Sequence, residues 1–164
     1  LDGVLHQVRQ HLIELASFAH DQWDIVADAY IPILALLALW SLIKRFRNAG
    51  APYAILQSKV LVLSVLLVYL LMYLDAVLVI WPRFGLDYST HAALALALFC
   101  YLVFFCKPFA PLLAGSMCLY NILLVYQGYH TMWDIVSTAG VTLPGLWIVF
   151  FRFTEFKRTA WNSV

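Results

Sequence analysis

Apolar residues fall in five nearly unbroken stretches, at about 29–43, 60–82, 92–106, 109–126 and 135–151, and each reads as a membrane-spanning helix. Several are shorter than the roughly 20 residues a span needs. The helices are therefore expected to extend into their flanks, or the bilayer to adapt to them. Residues 1–28 are patterned differently: Val4, Val8, Leu12, Leu15 and Phe18 or Ala19 recur at helical spacing, with Arg9, Glu14, Asp21 and Asp24 elsewhere on the wheel. This segment is predicted to be an amphipathic helix that lies on the membrane surface or caps the bundle. Breaks are expected at Asn48-Ala49-Gly50-Ala51-Pro52, from Pro82 to Tyr88, at Lys107-Pro108 and at Gln127-Gly128. The fold class that follows is all-α: a polytopic membrane helix bundle over 29–151, with about five transmembrane helices, an amino-terminal amphipathic helix and a tail at 152–164. No internal repeat interrupts this pattern.

Composition narrows the function. The chain has 164 residues, 64% hydrophobic and 12% charged, with a mean hydropathy of +0.85. A soluble domain is about 25% charged, so too few polar side chains are present to cover a water-facing surface. A soluble enzyme and a disordered chain are both excluded. Ten basic and nine acidic residues give a net charge of +1, which offers no field to gather nucleic acid. Cys100, Cys106 and Cys118 lie in apolar runs without CxxC spacing, so they are expected to be buried thiols and not a disulfide or zinc framework. The chain begins at Leu1, not Met, so its true start is expected to lie upstream; no signal-peptide pattern is visible.

Charge placement orients the bundle. Lys44, Arg45, Arg47, Lys59, Lys107, Arg152, Lys157 and Arg158 fall on one side, while Arg9 and Arg83 fall on the other. By the positive-inside rule the first side is cytoplasmic. The 82–91 and 127–134 loops are then expected on the non-cytoplasmic face of a multi-pass membrane protein.

The unusual polar residues gather in those two loops. His130 and Asp134 stand four apart and share a helix face, so Asp134 can fix one imidazole nitrogen and leave the other nucleophilic. His91 opens another span at the same depth. Two histidines, a carboxylate and Arg83 suit phosphoryl transfer: one His attacks phosphorus, the other protonates the departing alkoxide, and the guanidinium neutralises phosphate oxygens. Ser89, Thr90 and the amides opening the helix at His91 add anion donors. Asp75, within a span, is an accessory candidate because an intramembrane carboxylate is costly; a structural contact to another helix is an equally open reading. Trp81, Tyr88, Tyr126, Tyr129 and Trp133 read as an interfacial belt, although the Tyr88, Tyr126 and Tyr129 hydroxyls are accessory phosphate donors. Gly140, Pro144 and Gly145 read as packing or bending positions, and His6, His11 and His20 as solvated side chains. No metal or other cofactor is expected. The two histidines and the carboxylate are acceptable ligands, but no Cys or Glu joins them.

Ser89-Thr90-His91-Ala92 resembles the PSGHA motif of the membrane type 2 phosphatidic acid phosphatase superfamily, and His130-Thr131-Met132-Trp133-Asp134 resembles the end of its SR-x5-H-x3-D motif. The resemblance covers 60–151. It implies that the chain is an integral membrane lipid phosphatase working through a phosphohistidine at His130, with Asp134 orienting that ring, His91 the general acid and Ser89 helping to bind phosphate. Tyr88 and Thr90 replace the motif Pro and Gly, and Leu124 replaces the motif Arg. The K-x6-RP motif is absent as written: Ala76 stands at its Lys position, and Arg83 follows Pro82. Sphingomyelin synthases and related headgroup transferases also resemble this chain, at Gly85, Asp87, Tyr88 and His91 and then Tyr129, His130, Asp134 and Ile135. The expected partners are therefore a lipid substrate and the bilayer. The alternatives are a phospholipid headgroup transferase and a non-catalytic lipid-binding or assembly subunit; oligomeric state and protein partners stay open.

Overall fold

A computed structural model describes the backbone of residues 2–162 and the side chains of residues 22–152. Five helices follow in order: α1 (Asp2–Ala49), α2 (Ala51–Leu78), α3 (Thr90–Phe105), α4 (Ala110–Tyr126) and α5 (Met132–Asn162). Among the described residues there is no strand.

The breaks follow the local chemistry. Gly50 separates α1 from α2 at φ 85, with Pro52 in the first turn of α2, where a missing N–H costs nothing. Cys106 ends α3, and Lys107-Pro108-Phe109 form a single 3-10 turn before α4. No Gly, Pro or Asn stands between Gly3 and Tyr30, and α1 runs through without a break. The amphipathic segment and the first span are thus one helix, and the expected boundary at residue 28 is not a structural one. The amphipathic face of residues 1–21, with His6, His11 and His20, lies outside the described side chains, as do the side chains of the tail beyond Arg152.

Four segments are long and apolar enough to cross a membrane: Gln22–Ala49, Ala51–Leu78, Lys107–Tyr126 and Met132–Arg152. This is the pattern of a multi-pass membrane protein. Helix α3, with 16 residues, is only about 24 Å long at 1.5 Å per residue. It can be short because it is the hub, packed against α1, α2, α4 and α5. Ala92, Ala93, Ala95 and Ala97 are buried along it, and such small side chains let neighbouring backbones approach closely. Gly145 serves the same end between α2 and α5: a Cβ there would come within 2.7 Å of Leu67 Cδ2.

The molecule is apolar outside and partly polar inside. Leu36, Leu39, Leu63, Leu66, Leu70, Leu119 and Ile148 are exposed, whereas Ser41, Gln57, Ser64, Thr138 and Thr142 are buried. That inversion suits hydrocarbon as the surrounding solvent. Cys118 is exposed, so it faces outward instead of filling the core, while Cys100 and Cys106 are half-buried. At the end carrying Lys44, Arg45, Lys59 and Lys107 (the basic end), the Gln57 amide donates to Ser41 Oγ (2.9 Å) and Tyr101 Oη (2.7 Å). Those bonds tie α1, α2 and α3 together.

Candidate active site at the loop end

The opposite end is built from two loops, 79–89 and 127–131. The first starts from a strained residue. Val79 caps α2 in the left-handed region (φ 53, ψ 49), its N–H on Asp75 O at 2.7 Å, a conformation β-branched residues rarely adopt. Asp75 holds it there, because its Oδ1 accepts the Trp81 N–H at 2.8 Å. Asp75 is therefore a fastener of this loop, explaining a carboxylate inside an apolar helix. Asp75→Ala is expected to lower stability by about 1–3 kcal/mol through the orphaned amide, while Asp75→Asn, which keeps an acceptor, loses less; thermal melts in detergent measure both.

From Trp81 the loop folds inward. The indole Nε1 donates to Ser137 Oγ at 3.0 Å, and the ring meets Tyr88 edge-on at 5.0 Å. Tyr88 Oη donates to the Val68 carbonyl at 3.2 Å, and burial pushes its pKa up. Trp81 and Tyr88 are each only 5% exposed, so neither belongs to an interfacial belt: each polar tip has an intramolecular partner. Tyr126, Tyr129 and Trp133 are the exposed members.

Two helix caps then clamp the loops together. Ser89, fully buried, accepts the Ala92 N–H on its Oγ (3.2 Å) and donates its own N–H to Thr138 Oγ1 (3.0 Å). Its hydroxyl caps the start of α3. At α5, Thr131 and Asp134 form a reciprocal capping box. Asp134 N donates to Thr131 Oγ1 (3.2 Å), while Asp134 Oδ2 accepts the Thr131 N–H and hydroxyl (2.7 Å each). Asp134 Oδ1 accepts the Asp87 N–H at 2.8 Å. One buried carboxylate thus starts α5 and fixes the approach to α3. The signal was in the sequence as Thr131-x-x-Asp134, overlapping the His130/Asp134 spacing.

His130 lies just before that cap, its side chain 11% exposed, with Nδ1 3.5 Å from Asp87 Oδ2. This is ion-pair reach without a hydrogen bond, and Nδ1 has none elsewhere. Asp87, 71% exposed, is the partner that the sequence-derived site residues omit. His91 is exposed in the first turn of α3, and Thr90 beside it is half-buried. Arg83 is exposed in the 3-10 turn Pro82–Phe84, closed by Gly85 at φ 68. It is the one Lys or Arg side chain at this end among the described residues.

The second loop is also tied to α1. Asp24 accepts from Gln127 Nε2 and, at 3.0 Å, from Tyr129 Oη; that bond to a carboxylate raises the Tyr129 pKa. Among the described residues no three His, Cys, Asp or Glu side chains cluster closely enough to hold a metal ion. No family model, curated protein or solved structure matches the chain.

Proposed function

We infer that the loop end takes a phosphate-bearing group from a membrane lipid, with His130 as nucleophile. The observation that carries this reading is the clamp: Asp134 holds the amides of Thr131, next to His130, and Asp87, four residues before His91. Two imidazoles therefore sit on loops and helix starts fixed to one carboxylate, with Arg83 at the same end.

In the first step His130 Nε2 attacks the phosphorus of a lipid monophosphate, which requires approach to roughly 3–3.5 Å. A P–N bond forms, the P–O bond to the lipid breaks, and His91 gives the leaving alkoxide its proton. Water then attacks the phosphohistidine and passes a proton to His91. The P–N bond breaks, and inorganic phosphate leaves. Arg83 and the Thr90 hydroxyl neutralise the phosphate oxygens. The resemblance gives Asp134 the task of orienting His130; in our reading Asp87 faces Nδ1, and Asp134 keeps both residues in register. The lipid chains stay in the bilayer, and the positive-inside rule puts the reaction on the non-cytoplasmic face.

Transfer to a lipid hydroxyl in place of water is the second reading. It is favoured by the ion-pair approach of Asp87 to His130, because Asp87-Tyr88 carries the likeness to headgroup transferases. A lipid panel followed for both free phosphate and exchanged headgroup tests the two. Asp87→Asn is expected to lower kcat about 10²-fold, the effect of a misplaced reacting group, with KM and melting temperature little changed and partial rescue by Asp87→Glu. Lipid binding without turnover across the whole panel would overturn the enzymatic reading in favour of a binding or assembly subunit.

A further inference from the structure

Acid and base are sorted to opposite ends of the bundle. Among the described side chains, every carboxylate lies in the half toward the loops, and every Lys and Arg except Arg83 lies at the basic end. No ion pair forms at the basic end among the described residues. Lys44, Arg47, Lys59, Lys107 and Arg152 are exposed there, and the positive-inside rule asks no more of them than that. Arg45 is different.

Arg45 is half-buried and lies within the span Gln22–Ala49, one turn after Ser41 on the same face of α1. Side chains on a helix lean toward its amino end, so the guanidinium reaches back over the end of the bundle. Its Nε–H donates to Gln57 Oε1 at 3.4 Å. Gln57 cannot turn away: it is 1% exposed, and its amide nitrogen is held by Ser41 Oγ and Tyr101 Oη. That leaves Oε1 aimed at Arg45. A guanidinium carries five donors, and among the described residues only Nε–H has a partner. The two Nη groups are unpaired and not enclosed. Lys107 follows Cys106, whose Sγ lies 3.6 Å from Ser41 Oγ, so a second cation is anchored one residue from the same cluster. A fixed cation within a span is costly without a counter-charge.

We propose that Arg45 binds the phosphodiester of an anionic phospholipid in the leaflet at the basic end, its two Nη groups donating to two phosphate oxygens. A guanidinium fork matches phosphate geometry, and a hydrogen bond between charged groups is the strong kind. Charge selects the lipid class: no described carboxylate stands at this end to seat an ammonium, so a zwitterionic head gains the phosphate contact and leaves its cation among cations. Depth selects a lipid over a soluble anion. Trp40, Phe46, Tyr53 and Phe109 are exposed at this end, the aromatic marking of a headgroup boundary, where basic groups meet anionic lipid heads. The site lies at the far end from His130, so it holds whether or not His130 reacts.

The test uses the whole protein in nanodiscs of phosphatidylcholine with a minority of phosphatidylglycerol. Native mass spectrometry counts the retained lipid, and thermal melts run in parallel. Phosphatidylglycerol is expected to be retained over phosphatidylcholine, near one per chain, and to raise the melting temperature. Arg45→Met keeps an apolar stem and is expected to lower that retention about tenfold, the effect of losing charge-assisted hydrogen bonds. Lys59→Gln removes the same charge from an exposed position of α2 and retains phosphatidylglycerol as wild type. Gln57→Glu tests the cluster itself. The Ser41 and Tyr101 hydroxyls can turn to donate to the carboxylate, which gives Arg45 a counter-charge from within the chain; phosphatidylglycerol then no longer raises the melting temperature. Equal loss in Lys59→Gln overturns the proposal, as does a phosphatidylglycerol effect that persists in Arg45→Met or Gln57→Glu. Stabilisation of the same size by millimolar inorganic phosphate in pure phosphatidylcholine discs also overturns it, because the anion is then a soluble one.

Discussion

His130→Ala is expected to abolish release of phosphate or transfer of headgroup from lipid, a fall of at least about 10³-fold, because it removes the proposed nucleophile. The bundle should survive. His130 Nδ1 makes no hydrogen bond, so its loss leaves no fold-bearing partner stranded, and the detergent melt should move little. His91→Ala is expected to fall nearly as far, and the double variant no further than the worse single one, since groups acting in one step are not additive. Turnover by His130→Ala at the wild-type rate would remove the nucleophile and, with it, the proposed chemistry. Both phosphate and headgroup products need to be followed, because the same covalent step precedes hydrolysis and transfer.

Asp134→Ala is expected to have the largest effect on stability. Its carboxylate, 5% exposed, accepts from Asp87 N, Thr131 N and Thr131 Oγ1. Donors left buried without partners cost about 1–3 kcal/mol each, so a loss of roughly 3–5 kcal/mol follows. Asp134→Asn keeps one acceptor oxygen and turns an amide donor toward groups that are themselves donors; it should fall between Ala and wild type. Thermal melts in detergent measure the total, and hydrogen exchange at the Asp87 and Thr131 amides localises it. Wild-type melting and protection in Asp134→Ala would show that the two loops are held by something else. The contrast with His130→Ala is diagnostic: that substitution is expected to stop the proposed chemistry in a folded bundle, whereas Asp134→Ala is expected to loosen the frame around it.

Hydrophobic run length fixed two of the five helices closely. The stretches at 92–106 and 109–126 became α3 and α4 within two residues, because Lys107-Pro108 and Gln127-Gly128 end helices by local chemistry. The joining of residues 1–28 to the first span was less legible: a change from amphipathic to apolar pattern alters what a helix faces without breaking it. In the loops, the residue types marked the polar end of the molecule, and their partners were hidden. Trp81 and Tyr88 have interfacial composition, yet Ser137 and Val68 satisfy their polar tips from other helices. Asp75 could be noticed as an intramembrane carboxylate, but only the turn of the chain after Leu78 brings the Trp81 amide to it.

The sequence by itself determined an all-helical, membrane-type chain and a polar end opposite the basic one, because apolar run length, helix breakers and charge bias act locally. Tertiary structure alone decided how that polar end is wired. It bound Asp134 to the Asp87 amide across 47 positions of chain, set Asp87 beside His130 and made the shortest helix the hub. Each of those outcomes depends on which helix ends become neighbours, and hydrogen-bond directions that follow from packing have no signature in the spacing of residues along one helix.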